Sequence, residues 1–132
     1  MQSEPLWLPV SEVVDTNRDL VEETGEPHHI RDLGLLESAC AVPRNQWSYG
    51  GVTDLATLAT SVLFAIARNH PFMQGNKRTA LLAALQLLEL NGWALADAID
   101  SMQFADRIVA VIEGAAEEDE ITDLLRANSQ AP

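Results

Sequence analysis

Between Asp54 and Glu89 the chain carries no carboxylate, although it holds 20 Asp and Glu against eight Lys and Arg. Apolar residues in this window recur at helical spacing. Leu55, Leu58, Val62 and Ala65 line one face of a first segment, and Ala and Leu residues lie all round a second. A helix that is apolar on most sides has to be enclosed by others. Between the two segments stands "HPFMQGNKR", where Pro71 and Gly75 break any continuous helix. Two central helices joined by a short polar loop are what this window demands.

The remaining segments read as the wall around that pair. One helix runs from about Ser11, a good N-cap, to Thr24, stopped by Gly25, with Val13, Val14, Leu20 and Val21 as its apolar stripe. Asp32 caps a second, through Leu35, Leu36 and Ala39, which Pro43 is expected to end. "VPRNQWSYGG" then reads as an irregular, mobile loop beside a site. Thr53 is expected to cap the first central helix, ending near Asn69; the other runs from about Asn76 to a stop at Asn91-Gly92. After "WALAD", a short extended piece, further helices cover about Ser101–Ala115 and Glu118–Ala127. No stretch alternates with period two for long enough to require a sheet. The pattern predicts an all-α bundle of about six helices over residues 1–132 as one domain, with loosely ordered ends at about 1–10 and 128–132.

Composition narrows the function. A formal charge of −12 argues against general adhesion to nucleic acid, because phosphate contacts would have to overcome that repulsion. No apolar run reaches bilayer length, and the start "MQSEPLWLPV" lacks a signal peptide's basic and apolar regions, so a cytoplasmic location is the expectation. The single cysteine, Cys40, excludes an internal disulfide and reads as a small helix residue turned inward. His28 and His29 lie in the polar stretch "GEPHHIRD" without a third ligand at metal spacing and read as surface residues.

The only lysine, Lys77, stands beside Arg78 at the start of the second central helix, with Arg68 and His70 just before it. Basic side chains in a first turn face the positive end of the helix dipole, an unfavourable placement by about 0.3–1 kcal/mol per charge. A bound anion would reverse that sign, since a helix N-terminus offers free amides and the residue types add an ammonium and a planar fork. Gly75 lets backbone approach a ligand. Spacing alone leaves two readings of Lys77 and Arg78: an anion site, or solvated first-turn residues. No G-x-x-x-x-G-K-[ST] loop is present. His70 can act as a general base near neutral pH or serve as a hydrogen-bonded structural residue, and Phe72 reads as the anchor of the loop.

"HPFMQGNKR" resembles the signature H-x-F-x-[D/E]-[A/G]-N-K-R of the death-on-curing (Doc) toxins of the Fic superfamily. The likeness extends to "IRDLGLLESACAVP" before the core, "ATSVLFAIARNHPF" entering the motif and "TALLAALQLLELNGW" leaving it. Fic-type nucleotidyl transferases are similar but read H-P-F-x-x-G-N-G-R-x-x-R. This chain has Lys77 at their second glycine and Leu81 at their second arginine. The resemblance therefore implies transfer of the γ-phosphate of ATP to a Ser or Thr hydroxyl of a protein. Elongation factor Tu is the family's target, and translation arrest the result. His70 would be the base; Gly75, Asn76, Lys77 and Arg78 would hold the phosphates, and Arg68 would assist the transferring charge.

Gln74 departs from the pattern, standing where the family commonly has a carboxylate for Mg²⁺. A neutral amide brings no charge to a hard cation, so a weakly held metal is expected. The resemblance also implies an antitoxin whose C-terminal segment folds into a groove on the toxin. The fifth helix, "MQFADRIVAVIEGAA", has an apolar stripe that fits either a groove wall or the core. AMP transfer and a non-enzymatic binding module remain as alternatives to the kinase.

Overall fold

The computed structural model describes residues 3–132, so Met1 and Gln2 of the expected loose N-terminus lie outside it. Its six helices are α1 (Val10–Thr24), α2 (Leu33–Gly50), α3 (Leu55–Asn69), α4 (Asn76–Leu90), α5 (Ser101–Ile112) and α6 (Asp119–Ala127). A two-residue strand, β1 (Ala94–Leu95), pairs antiparallel with β2 (Ser129–Gln130). The class is all-α, and α3 and α4 pack most extensively, with α2, α1, α5 and α6 around them.

The central pair follows from its composition. Buried side chains occur on nearly every face of α4, among them Ala80, Ala83, Ala84, Leu85, Leu87 and Leu88. On α3, Leu58, Val62, Leu63 and Ile66 close the other half of the core. The alanines of α4 let the helices approach closely, and Phe64, Phe72 and Phe104 fill the larger gaps.

Pro43 does not end α2. The helix continues to Gly50 and stops at Gly51, whose φ of 68° is left-handed. Leu36, Ala39 and Pro43 are buried at i, i+3 and i+7 and pack with half-buried Cys40 and Trp47, so one apolar stripe runs through the proline. Packing along that stripe offsets the lost backbone bond. The expected loop over "VPRNQWSYGG" is consequently helix up to Gly50. Cys40 is half-buried, and burial pushes its thiol up to about 11, which leaves it unreactive.

Other boundaries shift for local reasons. Pro9, not Ser11, is the N-cap of α1, its ring-fixed φ of −65° leading into the helix. Left-handed Gly114 ends α5 at Ile112, three residues before Ala115. The chain ends are tied down in part. Leu6 exchanges two hydrogen bonds with the side chain of Asn91, and Ser129–Gln130 pair with β1.

Asp54, rather than Thr53, caps α3. Its carboxylate accepts from the Thr57 amide at 3.0 Å and the Thr57 hydroxyl at 2.5 Å, and it pairs with Arg126 of α6. Partial burial raises its pKa, but the Thr57 and Arg126 contacts outweigh that and hold it below its ordinary value. A depressed carboxylate stabilises the fold above its unfolded pKa, and the contribution is lost as pH falls through the folded one. Asp54→Ala is therefore predicted to lose about 1–2 kcal/mol at neutral pH. Urea titrations should find that difference shrinking once the pH drops below about 4; a difference independent of pH would contradict the assignment.

Candidate functional site

Six residues, His70–Gly75, reverse the chain between α3 and α4. His70 closes α3 with φ 49° and ψ 54°, and it is the only non-glycine residue with positive φ among the described residues. Such a backbone is unfavourable by about 1–2 kcal/mol for a residue with a Cβ, and persists where surroundings impose it. Phe72 is buried and Gly75, at φ 75°, is the N-cap of α4.

Asn76 organises this turn from inside. Its Oδ1 accepts from the Phe72 amide at 2.9 Å and its Nδ2 donates to the Phe72 carbonyl at 2.8 Å. The same Nδ2 lies 3.5 Å from His70 Nδ1, a contact at the outer edge of hydrogen bonding. One buried side chain thus satisfies both backbone groups of the anchor and faces the histidine ring. His70 itself is exposed.

The outer side of the turn is held by the segment between α1 and α2. His29 and Ile30 meet Met73 and Phe72 in a strand-like bridge, with the Met73 amide donating to the His29 carbonyl at 2.9 Å. Asn17, fully buried on α1, donates from Nδ2 to the Gln74 carbonyl at 2.8 Å and to Thr79 Oγ1 at 3.0 Å. Its Oδ1 therefore faces His28 Nδ1, 2.9 Å away, so that ring nitrogen carries the proton. His28 is half-buried against Phe72, not a free surface residue. A Cβ on Gly75 would sit 3.3 Å from Asn17 Nδ2, 3.4 Å from Val21 Cγ1 and 3.5 Å from Arg78 Nη2, so the close approach and the positive φ both call for glycine.

No side chain caps α4, which leaves its first-turn amides to solvent or a ligand. Lys77 is exposed and forms no ion pair among the described residues. Arg78 donates to Glu26 Oε1 at 2.6 Å, and Thr24 Oγ1 donates to the same oxygen at 2.5 Å. The hydrogen bond from Thr24, and then Arg78, hold Glu26 below the usual carboxylate range, so it stays charged near neutrality. A carboxylate thus already sits on one of the two cations.

The structure does not bring Arg68 into this group. Arg68, exposed near the end of α3, is engaged elsewhere. It pairs with Glu118 at 2.7 Å and stacks 5.0 Å above the Phe64 ring. Gln74 is half-buried, and it is its backbone carbonyl that accepts the hydrogen bond from Asn17. No cluster of three or more His, Cys, Asp or Glu side chains able to hold a metal occurs among the described residues. These side chains alone do not fit a protein-built magnesium site, because Gln74 offers only a neutral oxygen.

Beside the cations an apolar groove of about 400 Å³ opens between α1, α4 and α5. Leu20, Leu81, Leu82, Met102 and Ala105 wall it, and Lys77 and Arg78 line its other side.

The sequence profile of the Fic/DOC family matches residues 7–88, from before α1 almost to the end of α4. This chain belongs to the Fic/DOC family. It is 35% identical over 95 residues to "Protein kinase doc" of Escherichia phage P1, an alignment covering 72% of this chain and 73% of that protein. It is 40% identical over 72 residues to "Toxin Doc" of Mycolicibacterium smegmatis, covering 54% and 55% respectively. The family span holds the whole turn, all of α3 and all but the last two residues of α4, while α5, one wall of the groove, lies beyond it.

Asn17, Glu26 and Arg31 were not singled out by sequence, and His28 was read only as a surface residue. Only Asn17 left a signal there, as a polar residue in the i, i+4, i+8 register of Val13 and Val21. The geometry predicts that Asn76→Ala, which strands the amide and carbonyl of Phe72, loses about 2–4 kcal/mol by chemical denaturation. Asn76→Asp keeps the acceptor and should fall between; a loss below about 0.5 kcal/mol for the alanine variant would contradict the clasp.

Proposed function

We propose that this Fic/DOC chain is a cytoplasmic toxin that transfers the γ-phosphate of ATP to a Ser or Thr hydroxyl of a translation factor. An antitoxin holds it silent. The observation that carries this reading is the placement of an exposed His70 beside Asn76, the first residue of an uncapped helix bearing Lys77 and Arg78. The names of the two Doc relatives, one a kinase and one a toxin, support the class. Elongation factor Tu is the target that the family resemblance suggests.

In this reading His70 accepts the proton of the target hydroxyl, whose oxygen attacks the γ-phosphorus as the bond to the β–γ bridging oxygen breaks and ADP leaves. Lys77, Arg78 and the first amides of α4 hold the phosphate charge, and positioning with electrostatics is most of what this reaction asks of a protein. A magnesium ion would have to be held chiefly by the nucleotide, where it would neutralise phosphate charge, with Gln74 adding at most a neutral oxygen. Leu81 favours this chemistry over AMP transfer, because it makes an apolar wall of the groove where nucleotidyl transferases carry an arginine. The groove between α1, α4 and α5 supports the docking of an amphipathic segment of the antitoxin.

ATP labelled at the α or the γ position, with candidate protein and Mg²⁺, tests the reading. Label should pass from the γ position only and disappear with His70→Ala. Transfer of α label would favour the nucleotidyl transferase, and no transfer, unchanged by Gln74→Asp, the binding module.

Phosphate must also take Arg78 from Glu26. Glu26→Gln should therefore tighten ATP binding about two- to fivefold by calorimetry at pH 7, an effect suited to an exposed pair. The gain should fade as acid protonates the native glutamate. Unchanged affinity would mean that nucleotide leaves the Arg78–Glu26 pair intact.

A further inference from the structure

The turn carrying His70 is strained, and the backbone bonds of α3 do not explain why it holds. The C-terminal carbonyls of a helix lack partners within it, and each must find one elsewhere. Here the carbonyls of residues 69, 70 and 71 converge on Arg31. Its Nη2 donates to Asn69 O at 3.0 Å and its Nε to His70 O at 2.7 Å. Its own backbone amide donates to Pro71 O at 2.7 Å, seconded by the Asp32 amide at 3.1 Å. Three successive carbonyls, one on each side of the left-handed residue and one belonging to it, are thereby fixed by one side chain and its backbone.

We propose that Arg31 is a positioning residue for His70, holding the histidine in its left-handed turn so that the ring stays beside Asn76 at the start of α4. The proposal rests on the reading of His70 as the base. No carboxylate pairs with Arg31 among the described residues, so its charge is directed at the negative end of the α3 dipole. The geometry needs arginine in particular. Nε and Nη2 lie on one edge of a rigid plane and reach two carbonyls together, whereas a lysine ammonium would be a single mobile point. Arg31 is exposed and follows the bridge from Ile30 to Phe72, so its removal leaves the buried anchor and the Asn76 clasp in place. The inner clasp fixes Phe72, and the outer fork fixes the histidine two residues earlier.

NMR of the full chain tests this without requiring activity. In the native protein His70 should give one set of backbone and imidazole signals with left-handed shifts. In Arg31→Ala those signals should broaden or double, while signals of Leu88 and Phe104 in the core stay unchanged; Arg31→Lys should fall between. In the γ-label assay Arg31→Ala should lower kcat about 10- to 100-fold, the range for a misplaced group, with KM for ATP nearly constant. An unperturbed His70 in Arg31→Ala, or a disturbance spread evenly through the core, would overturn the proposal. If the native chain transfers no phosphate, the reading of His70 as a base fails, while the NMR comparison still decides whether Arg31 sets its conformation.

Discussion

The side-chain amide of Asn76 is the contact on which the rest of the molecule depends. It closes on both backbone groups of Phe72, whose ring is buried between the central helices. With that residue pinned, only the short run Met73–Gly75 is left to bring the chain into α4. The reversal carries His70 in a left-handed conformation and enters α4 without a side-chain cap. An exposed histidine and an open helix N-terminus are therefore by-products of the same fold decision. The strap between α1 and α2 completes it from outside, with Asn17, His29 and Arg31 each satisfying or borrowing a backbone group of the loop.

Electrostatics divides the few cations among distinct tasks. In a chain of charge −12, five of the arginines are drawn into pairs with carboxylates. Arg68, Arg107 and Arg126 all tie to or within α6 and the helices beside it. Lys77 is left exposed at the open end of α4, and Arg78 is held by a half-buried glutamate that an incoming anion can replace. The neutral Gln74 leaves the charge balance of the site to these two residues.

Much of this was legible in the sequence where burial dictates pattern. The two central helices, their connection and the class of the fold follow from apolar spacing and from Pro71 and Gly75. Pro43 misled because a local rule about proline was weighed without the stripe of Leu36, Ala39 and Trp47 that carries α2 past it. Arg68, grouped with His70 by nearness in sequence, is occupied in the fold by Glu118 and the Phe64 ring. Glu26, His28 and Arg31 lie far from the motif along the chain and act through contacts that only the folded strap creates. No periodicity marks them.

A crystal structure of the chain with a non-hydrolysable ATP analogue tests the central claim most directly. The γ-phosphate should lie at the first turn of α4, within hydrogen-bond reach of Lys77 and Arg78, with Glu26 released from Arg78 and His70 facing the phosphorus. An analogue bound elsewhere, with the Arg78–Glu26 pair intact and His70 remote from the phosphate, would contradict it.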